Sequence, residues 1–511
     1  MRLTWVWLAI GLAGGIAGCQ RSEVPGKSAA VQEIAWREGD VDDALAEAKE
    51  SGKPILLYWG AKWCPPCNQL KTTLFKDPAF IAQTRRFVPV YLDGDTTGAQ
   101  HWGERFGIRG YPTIIVLRAD GSEITRLSAA GRLSEVLRVA AGRTTSIDSL
   151  FSKAEKTPSA LSQDEWQLLA AFDWQNDPKH FSDHAHAASL LGSLAEAAPE
   201  GPLKRRFAMQ ALIAAAEKGA DGKYRLSPAQ QTQIEQLLPA ILSNPGEVAS
   251  NRQDLSYWVP SLIAAVPDSA QRKAMGTSLI NALDRVYADD SLPLPDRLET
   301  VNADIILDKA SQDTPRHGVA SKAVLSKVRA RAAWADRVAK DPMVRQSVIS
   351  NAADLLHEAG DNAGARALLE GELKRSASPY YYMLELASLS EEEKDAKGAI
   401  AWARKAFEAS EGQATRVQWA IEYSETVMRQ APGDKAAVEA SAQAVIDALG
   451  KSGGGYYQRT RVKVDAWGKL VRKWSDAHDG GTVLARLNTR MASVCAGQGE
   501  AAASCRDWAQ A

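Results

Sequence analysis

The feature that most constrains the fold of this chain is a pair of cysteines in the stretch Trp63-Cys64-Pro65-Pro66-Cys67. The apolar run Ile55 to Trp59 before it predicts a buried strand, and Asn68 to Leu74 after it predicts the body of a helix. A cysteine at such a junction lies at the positive end of the helix, where its thiolate is stabilised and its pKa is lowered. The second cysteine lies one turn further on and can attack a mixed disulfide. The stretch therefore predicts dithiol–disulfide exchange.

The same cysteine spacing occurs in one half of many zinc sites, which is the alternative interpretation. The sequence has no second Cys-x-x-Cys and no Cys/His pair to complete such a site, so redox chemistry is favoured and neither a metal nor another cofactor is expected. Charge is nearly balanced, with 61 Lys and Arg against 62 Asp and Glu, and this balance does not predict a nucleic-acid partner.

The segment from Met1 to Cys19 has the layout of an export signal. Arg2 precedes an apolar stretch from Leu3 to Ala17, which is shorter than the roughly 20 residues that a membrane-spanning helix needs. Ile16-Ala17-Gly18-Cys19 resembles the lipobox of bacterial lipoproteins. That resemblance implies cleavage before Cys19, which would then carry the acyl chains of a stable membrane anchor. The alternative is an ordinary secretory signal with an incidental cysteine.

The residues after Cys19 bear on where the chain is anchored. Gln20 stands where the lipoprotein resemblance links Asp to inner-membrane retention, so the outer membrane is favoured. Residues 20–32 are polar and contain Ser, Gly and Pro, which predicts a flexible tether. The expected location is therefore the periplasmic side of a bacterial cell envelope, with membrane attachment through a lipidated Cys19.

Two further cysteines, Cys495 and Cys505, lie near the C-terminus. In an oxidising compartment this pair predicts a structural disulfide that closes a small loop, worth about 2–3 kcal/mol by the chain-entropy estimate. The alternative is a second redox pair, although no predicted strand precedes it.

Residues 33–143 alternate predicted strands with predicted helices, which indicates an α/β domain. Asp77 and Pro78 are the residue types that begin a helix. The predicted strands lie at 55–59, 87–92, 114–117 and 123–127, and the other predicted helices at 40–50, 98–106 and 133–141.

Two motifs of this domain resemble those of thioredoxins. They are Lys62-Trp63-Cys64-Pro65-Pro66-Cys67 and Gly107-Ile108-Arg109-Gly110-Tyr111-Pro112-Thr113. Two flanking stretches, Gly52-Lys53-Pro54 and Leu74-Phe75-Lys76-Asp77-Pro78, are more similar to the exported thioredoxin-like domains that carry electrons across the bacterial cell envelope. The resemblance covers roughly residues 34–143, little more than a fifth of the chain.

The thioredoxin resemblance implies a role for each residue of the two motifs. Cys64 would be the exposed attacking thiolate, and Cys67 the resolving thiol. Pro112 would be a cis-proline that faces them and leaves the backbone of Tyr111 free to pair with an extended substrate segment. The alternative for Pro112 is a trans proline in a plain loop. The expected substrate-binding residues are Trp63, Pro65, Pro66, Gly110, Tyr111 and Pro112.

One position departs from the thioredoxin pattern. Thioredoxins commonly have a buried carboxylate six positions before the first cysteine, where it helps to deprotonate the resolving thiol, and here that position is Tyr58. A tyrosine with an ordinary pKa near 10 is a poor base at neutral pH. Asp93 and Asp95, after the second strand, are the candidate replacements, and a solvated turn is the alternative interpretation of both.

From about Thr144 onward the chain is rich in Ala and Leu with a helical period, which predicts an all-α region. Residues 144–345 show no clean repeat. Residues 346–450 show an offset of about 34 residues, a period that resembles the tetratricopeptide repeat (TPR), and residues 451–511 predict C-terminal helices. The offset relates Ala353 to Ala387, Leu355 to Leu389, Gly364 to Gly398 and Ala365 to Ala399.

A histidine cluster and two tryptophans are further candidate sites. His180, His184 and His186 suggest a metal site, because residues four apart share a helix face; a partly exposed helix that bears several histidines is the favoured alternative. Trp402 and Trp419 sit at repeat-like positions, where core packing is the default and a peptide-binding concave face the alternative.

The predicted function is a cell-envelope thiol–disulfide oxidoreductase in which Cys64 attacks a disulfide of another protein and Cys67 releases the product. Its resemblance to envelope electron carriers favours a reductant, with the helical repeats recruiting clients. The expected partners are disulfide-containing envelope proteins and an upstream thiol electron donor. The alternative is a lipid-anchored interaction scaffold whose thioredoxin-like domain mainly binds extended segments.

Overall fold

The computed structural model describes residues 33–38, 41–127, 132–142, 145–174, 177, 180–181, 183–312, 318–452 and 455–509. Cys19, the predicted export signal and the predicted tether at 20–32 lie outside these residues. None of the helices within the described ranges is long and apolar enough to cross a membrane.

The first described unit is a five-stranded mixed sheet flanked by helices. Its strands are β1 (Arg37–Glu38), β2 (Ile55–Gly60), β3 (Val88–Asp93), β4 (Thr113–Leu117) and β5 (Glu123–Leu127). Its helices are α1 (Val41–Ser51), α2 (Pro65–Thr72), α3 (Pro78–Thr84), α4 (Thr97–Phe106) and α5 (Leu133–Ala140). The order across the sheet is β1-β3-β2-β4-β5, and β4 runs antiparallel to both of its neighbours. The predicted α/β class is confirmed; β1 was too short for the pattern to predict.

The central strand β2 is buried along its whole length, because its alternate side chains enter two separate cores. Leu56 and Tyr58 pack with Leu70 of α2 on one face of the sheet. Leu57 and Trp59 pack on the other face, against α1 and α4. The end of this strand is therefore held firmly from both sides, and it fixes where the following cysteines lie.

The rest of the described chain is nearly all helical, so the predicted helical region is confirmed. Its helices are α6 (Ile147–Lys156), α7 (Gln163–Ala171), α8 (His184–Ala197), α9 (Pro202–Ala215), α10 (Pro228–Leu242), α11 (Pro245–Ser250), α12 (Arg252–Tyr257), α13 (Val259–Ala264), α14 (Ser269–Ala288), α15 (Leu294–Leu298), α16 (Asn302–Ser311), α17 (Lys322–Val338), α18 (Pro342–Glu358), α19 (Asn362–Glu372), α20 (Pro379–Glu392), α21 (Ala396–Ala409), α22 (Gln413–Gln430), α23 (Lys435–Lys451), α24 (Gln458–Ala477), α25 (Gly481–Cys495) and α26 (Ala502–Arg506).

A small hairpin interrupts the helical region. It consists of β6 (Glu217–Lys218) and β7 (Tyr224–Arg225), paired antiparallel. The region predicted to be all-α is thus nearly all helical, with this short hairpin as an exception among the described residues. Strands as short as these leave no alternating pattern in the sequence, which is why the hairpin was not predicted.

The offset of about 34 residues relates successive pairs of helices. In these pairs α18 packs with α19, α20 with α21, and α22 with α23. The second helix of the first two pairs is capped in the same way. Asp361 accepts a hydrogen bond from the N–H of Gly364, and Asp395 accepts one from the N–H of Gly398. A Cβ at Gly364 or Gly398 would lie 2.5 or 2.0 Å from the capping carboxylate. The repeated glycines therefore leave room for the repeated caps.

The C-terminal helices carry the second cysteine pair. Cys495, at the end of α25, and Cys505, in α26, form a disulfide and are completely buried. They share a core with Trp467 and Trp508, whose rings stack 5.0 Å apart. The bond lies in the interior of the last helical layer.

Replacing both Cys495 and Cys505 with alanine should lower the free energy of unfolding of the C-terminal helices by about 2–3 kcal/mol, because the unfolded chain loses a loop constraint. Denaturant unfolding followed by tryptophan fluorescence measures this, with the disulfide-reduced wild type as a comparison. An unchanged unfolding midpoint in the double variant would contradict the structural role.

Candidate functional site

The Cys64–Cys67 pair lies where β2 passes into α2 and forms a disulfide in this structure. Cys64 is the residue that caps α2, and its sulfur accepts a hydrogen bond from the N–H of Cys67 at 3.3 Å. Pro65 and Pro66 occupy the first helical positions, where a missing N–H costs no hydrogen bond. The helix end supplies the partial positive charge that stabilises a thiolate at Cys64.

The second motif meets the first beside these cysteines. The Tyr111–Pro112 peptide bond is cis, and Thr113, which follows it, pairs with Trp59 at the end of β2. The Tyr111 hydroxyl lies 3.5 Å from the carbonyl oxygen of Gly94. A Cβ at Gly94 would lie 2.2 Å from that hydroxyl, so glycine leaves the space that the Tyr111 ring occupies.

The cysteines are covered by the helical region. Cys64 is 2% exposed and Cys67 is 0% exposed. Tyr380 of α20, Ala406 of α21 and Trp419 of α22 belong to the same buried cluster as the two cysteines. The thioredoxin resemblance implied an exposed Cys64, and this expectation was wrong for the described conformation, because side chains from helices far along the chain pack on the dithiol.

Trp63 makes several of the side-chain contacts between the redox domain and the helices that cover the dithiol, which we call the cover (α20, α21, α22 and α24). Its indole N–H donates to the hydroxyl of Thr415 at 2.7 Å, and its ring lies 5.0 Å from the ring of Trp419. The ring of Tyr381 stacks on the ring of Trp63, with 5.9 Å between their centroids. The guanidinium of Arg459, in α24, lies 5.6 Å from the Trp63 ring and 5.5 Å from that of Tyr111, a cation–π arrangement. Trp63 is thus only 8% exposed, and its ring is contacted by side chains of α20, α22 and α24.

Asp95 joins the redox domain to the start of α22. Helix α22 begins after Gly412, which has no side chain to cap it and has a φ of +91°. The carboxylate of Asp95 replaces that cap by accepting the backbone N–H of Thr415 at 2.7 Å, and it also bonds the Thr415 side chain. A Cβ on Gly412 would lie 2.4–2.6 Å from the Asp95 carboxylate atoms. Glycine at 412 therefore permits the contact between the two domains.

Helix α24 makes a second attachment, to α4. The side chain of Gln100 accepts hydrogen bonds from the N–H and the hydroxyl of Thr460 at 3.4 and 3.2 Å. Arg461 makes a bidentate ion pair with the carboxylate of Glu104. The Gln100 contact is buried, whereas the Glu104 ion pair is largely exposed and contributes little by itself. Together they hold α24 where Arg459 reaches the aromatic rings.

A cavity of about 540 Å³ lies between the redox domain and the helical region, beside the dithiol turn. Pro65, Pro66 and Pro112 contribute to its wall on the redox-domain side. Tyr257 and Trp258 contribute to the wall formed by the helical region. The substrate-binding residues predicted from sequence are thus divided: Pro65, Pro66, Tyr111 and Pro112 line the cavity, whereas Trp63 is enclosed by the cover.

Glu299 lines the same cavity, and burial, together with the nearby carboxylate of Asp296, raises its pKa to about 8. Its ordinary pKa is 4.5, so between these values the folded protein holds a proton that the unfolded chain releases. Stability should therefore be greatest below about pH 4.5 for this group and fall as the pH rises towards 8.

Glu299→Gln should remove this loss of stability, which is on the order of 1 kcal/mol for each unit of pKa difference. The measurement is denaturant unfolding at pH 5 and pH 8, in which the drop between the two pH values should be smaller for the variant than for the wild type. Asp289→Asn is a control, because Asp289 is exposed and its pKa is lowered by hydrogen bonds to Ser291. Equal drops in wild type and Glu299→Gln would refute the assignment.

The position of the missing buried acid is filled by aromatic side chains. Tyr58 is 1% exposed, burial raises the pKa of its phenol, and its hydroxyl has no hydrogen-bond partner among the described residues. Asp95 is engaged with Thr415, as described above, and burial raises the pKa of its carboxyl. Lys71, one helical turn after Cys67, has its pKa lowered by burial. Tyr58 is therefore unsuited to accept a proton from Cys67, and the carboxylate of Asp95 is already bonded to Thr415.

The histidine cluster does not lie on one helix face. Helix α8 begins at His184, after its cap Asp183, whereas His180 lies in a turn before it. His180 bonds the carboxylates of Asp177 at 2.5 Å and Asp148 at 3.2 Å. Within the described ranges, no group of three or more His, Cys, Asp or Glu side chains could hold a metal ion.

Comparison with known proteins places residues 41–139 in the family described as "Thioredoxin-like domain". Thiol:disulfide interchange protein DsbD 1 of Pseudomonas aeruginosa is 34% identical over 111 residues, which is 20% of this chain and 19% of that protein. Thiol:disulfide interchange protein DsbD of Vibrio vulnificus is 31% identical over 94 residues, 18% of this chain and 16% of that protein. This chain therefore spans less than a fifth of the length of these relatives.

Two thioredoxins are also similar to part of the chain. Thioredoxin H-type of Oryza sativa subsp. indica is 27% identical over 92 residues, 18% of this chain and 70% of that protein. Among solved structures, a thioredoxin from Thermus thermophilus has 28% identity and a TM-score of 0.19, covering 20% of this chain and 86% of its own. The family match over residues 41–139 identifies a thioredoxin-like domain, which is followed by a nearly all-helical region.

Proposed function

We propose that this protein is a thiol–disulfide oxidoreductase that acts on disulfides of other proteins through Cys64 and Cys67. The observation that carries the proposal is the Cys64–Cys67 disulfide at the start of α2, in a domain whose cis Tyr111–Pro112 bond lies at the same end of the sheet. The relatives named as thiol:disulfide interchange proteins match this same domain, which supports the proposal.

The reaction transfers two electrons in two steps. The Cys64 thiolate attacks one sulfur of the client disulfide, so that a mixed disulfide forms and the other client sulfur leaves as a thiolate. Cys67 then attacks the sulfur of Cys64, and the second client thiol departs. The client is reduced and the Cys64–Cys67 disulfide forms, which an upstream thiol electron donor must reduce again. The dipole of α2 favours the first step by stabilising the thiolate of Cys64.

The direction and place of action are part of the proposal. The similarity to envelope electron carriers supports a reductant, whereas a name such as interchange protein fits either direction. The predicted export signal and the lipobox-like stretch that ends at Cys19 support lipid anchoring in the cell envelope, with the outer membrane favoured. Cys495 and Cys505 serve as a structural pair in this proposal, because they are buried far from the dithiol in sequence and share a core with tryptophans.

The helical region would recruit clients through its TPR-like repeats and also control their access to the dithiol. Cys64 is 2% exposed within the buried cluster that also contains Tyr380 and Trp419, so a folded client cannot reach its sulfur in this conformation. Exchange with such a client requires the cover to move away from Trp63.

The test is a redox titration of the full chain. Protein is equilibrated in buffers with stepped ratios of reduced to oxidised glutathione, quenched with acid and alkylated, and its mass is measured by mass spectrometry. The Cys495→Ala, Cys505→Ala variant reports only on Cys64 and Cys67. A reductant should have a potential close to that of thioredoxin, about −270 mV. A potential near that of DsbA, about −120 mV, would overturn the direction, and a pair that never exchanges would overturn the function.

The burial of Cys64 also favours a second candidate, an interaction scaffold in which the dithiol is locked and the repeats do the binding. Thiol labelling separates the two. The reduced full chain is mixed with iodoacetamide at neutral pH, and labelling of Cys64 is followed by peptide mapping. An oxidoreductase should be labelled at Cys64 within minutes, whereas a scaffold should stay unlabelled until it unfolds.

A further inference from the structure

Arg459 brings a positive charge from the helical region to the dithiol site. It lies in the first turn of α24, and its guanidinium carbon lies 5.6 Å from the centre of the Trp63 ring and 5.5 Å from that of Tyr111. Trp63 immediately precedes Cys64, and both rings pack in or against the buried cluster that contains the two cysteines. The charge is therefore held against the two aromatic side chains that border the dithiol.

This charge is not balanced by an acidic side chain. The Nη1 atom of Arg459 is buried without a hydrogen-bond partner, and no carboxylate within the described ranges forms an ion pair with this side chain. Cation–π contacts with two rings offset part of the hydration that a guanidinium loses, but they leave its net charge in place. Arg461, two residues further on, has the ordinary arrangement, an ion pair with Glu104. The surroundings of Arg459 thus suit an anion that exists during only part of the reaction.

The reduced dithiol supplies such an anion. Cys64 and Cys67 form a disulfide in the structure, and a disulfide carries no charge. After reduction, Cys64 at the start of α2 releases its proton to water and becomes a thiolate. Burial in the cluster opposes this ionisation, whereas a nearby positive charge favours it, and the attraction is stronger in a buried site than in water.

The other ionisable groups around the site largely cancel one another. Two lysines and two aspartates act on each other; they are Lys62, Lys71, Asp93 and Asp95. Burial raises the pKa of the neighbouring tyrosines, which are neutral at pH 7; they are Tyr111, Tyr380 and Tyr381. Burial, with Asp354 acting in the same direction, raises the pKa of Glu385, which accepts a hydrogen bond from Ser350. Of the groups named, Arg459 is the cation without a counter-charge.

We propose that Arg459 stabilises the thiolate of Cys64 in the reduced protein, so that a residue of the helical region shifts the redox equilibrium towards the dithiol. This inference rests on the proposed oxidoreductase function. Arg459 acts through its charge and takes no part in the exchange of electrons. Because α24 carries this charge and belongs to the cover, the coupling is reciprocal: formation of the thiolate strengthens the attachment of α24 to the redox domain.

The test measures two properties of Cys64 in the full chain. The first is the rate at which iodoacetamide alkylates reduced Cys64 as the pH is raised, followed by peptide mapping. The midpoint of this profile gives the pKa of the thiol, and its plateau reports access to the sulfur. The second property is the equilibrium of the dithiol with glutathione. Arg459→Gln removes the charge, and Arg459→Lys keeps it. Arg461→Gln is the matched control, because it removes one positive charge from the same helix turn.

Arg459→Gln should lower the acid dissociation constant of Cys64 about tenfold and so raise its pKa by about one, the smaller end of what one opposite charge does nearby. At a pH above both midpoints, the glutathione equilibrium should move about tenfold towards the disulfide, which makes the potential about 30 mV more negative. Arg459→Lys should retain most of both properties, and Arg461→Gln should change neither.

The direction of the midpoint separates a charge effect from simple support of the cover. If Arg459 only held the cover closed, its loss would expose Cys64 to water, which favours the thiolate. The midpoint would then stay or fall while the plateau rises, and this result would overturn the inference. An equal rise of the midpoint in Arg461→Gln would also overturn it. If wild-type Cys64 is neither alkylated nor exchanges with glutathione, the oxidoreductase function itself fails, and the inference fails with it.

Discussion

Cys64→Ser is expected to abolish disulfide exchange, whereas Cys67→Ser is expected to leave the client covalently attached to Cys64. The reason is that the two cysteines occupy different positions in α2. Cys64 caps the helix and gains from its dipole, while Cys67 lies within the helix at 0% exposure and can reach only the neighbouring sulfur. A serine hydroxyl is not ionised at neutral pH and cannot replace the thiolate as a nucleophile.

The measurement is exchange with a disulfide-containing protein, followed by non-reducing gel electrophoresis and mass spectrometry. The rate for Cys64→Ser should equal the uncatalysed background. Cys67→Ser should accumulate a mixed disulfide that is released by added dithiothreitol. The Cys495→Ala, Cys505→Ala variant controls for nonspecific effects of losing cysteines and should exchange like the wild type. Trapping through Cys505 instead would reassign the reactive pair.

Gly412→Ala is expected to open the cover and to raise the labelling rate of reduced Cys64 at least tenfold. Alanine is strained at a φ of +91°, and its Cβ would lie 2.4–2.6 Å from the carboxylate of Asp95. The clash displaces Asp95 from the start of α22, and loss of a helix cap costs about 1 kcal/mol. Strain adds a similar amount, and a change of about 1.4 kcal/mol shifts an opening equilibrium tenfold.

Gly201→Ala is the matched control for this experiment. Gly201 also precedes a helix, α9, and also has a positive φ, of +133°, but a Cβ there would meet nothing within 4 Å. It therefore has the backbone strain without the contact to the redox domain. Iodoacetamide labelling of Cys64 should be faster in Gly412→Ala than in Gly201→Ala. Equal rates would mean that the cover does not limit access to the sulfur.

The redox domain could be predicted from sequence because its signals are local. The strand Ile55 to Trp59 is a continuous apolar run, and the cap and proline at Asp77 and Pro78 mark a helix that α3 reproduces. These features involve neighbours in the chain. Their positions follow from patterning and helix-capping chemistry alone.

The cover could not be predicted, because it consists of contacts between distant parts of the chain. Thr415 and Trp63 are 352 residues apart, and nothing in the residues around Thr415 marks it as the partner of an indole. The sequence suggests Asp95 as an acid for Cys67 or as a turn residue, whereas in the structure it caps a helix of another domain. Core packing is the default for Trp419, and the core to which it belongs contains the dithiol. Sequence patterns report which residues are buried, and they do not report against what.

The cover on Trp63 belongs to the same polypeptide as the dithiol. Any client must therefore compete with this tethered cover for access to Cys64. A tethered competitor is present at a constant effective concentration, which for linked modules reaches the millimolar range and cannot be diluted away. The apparent affinity for a client is the intrinsic affinity reduced by the fraction of time that the site is open. Disulfides that bind weakly or dissociate quickly would therefore not react, and those held nearby for long enough would exchange with the dithiol. Selectivity of this kind would depend on residence time more than on the potential of the dithiol.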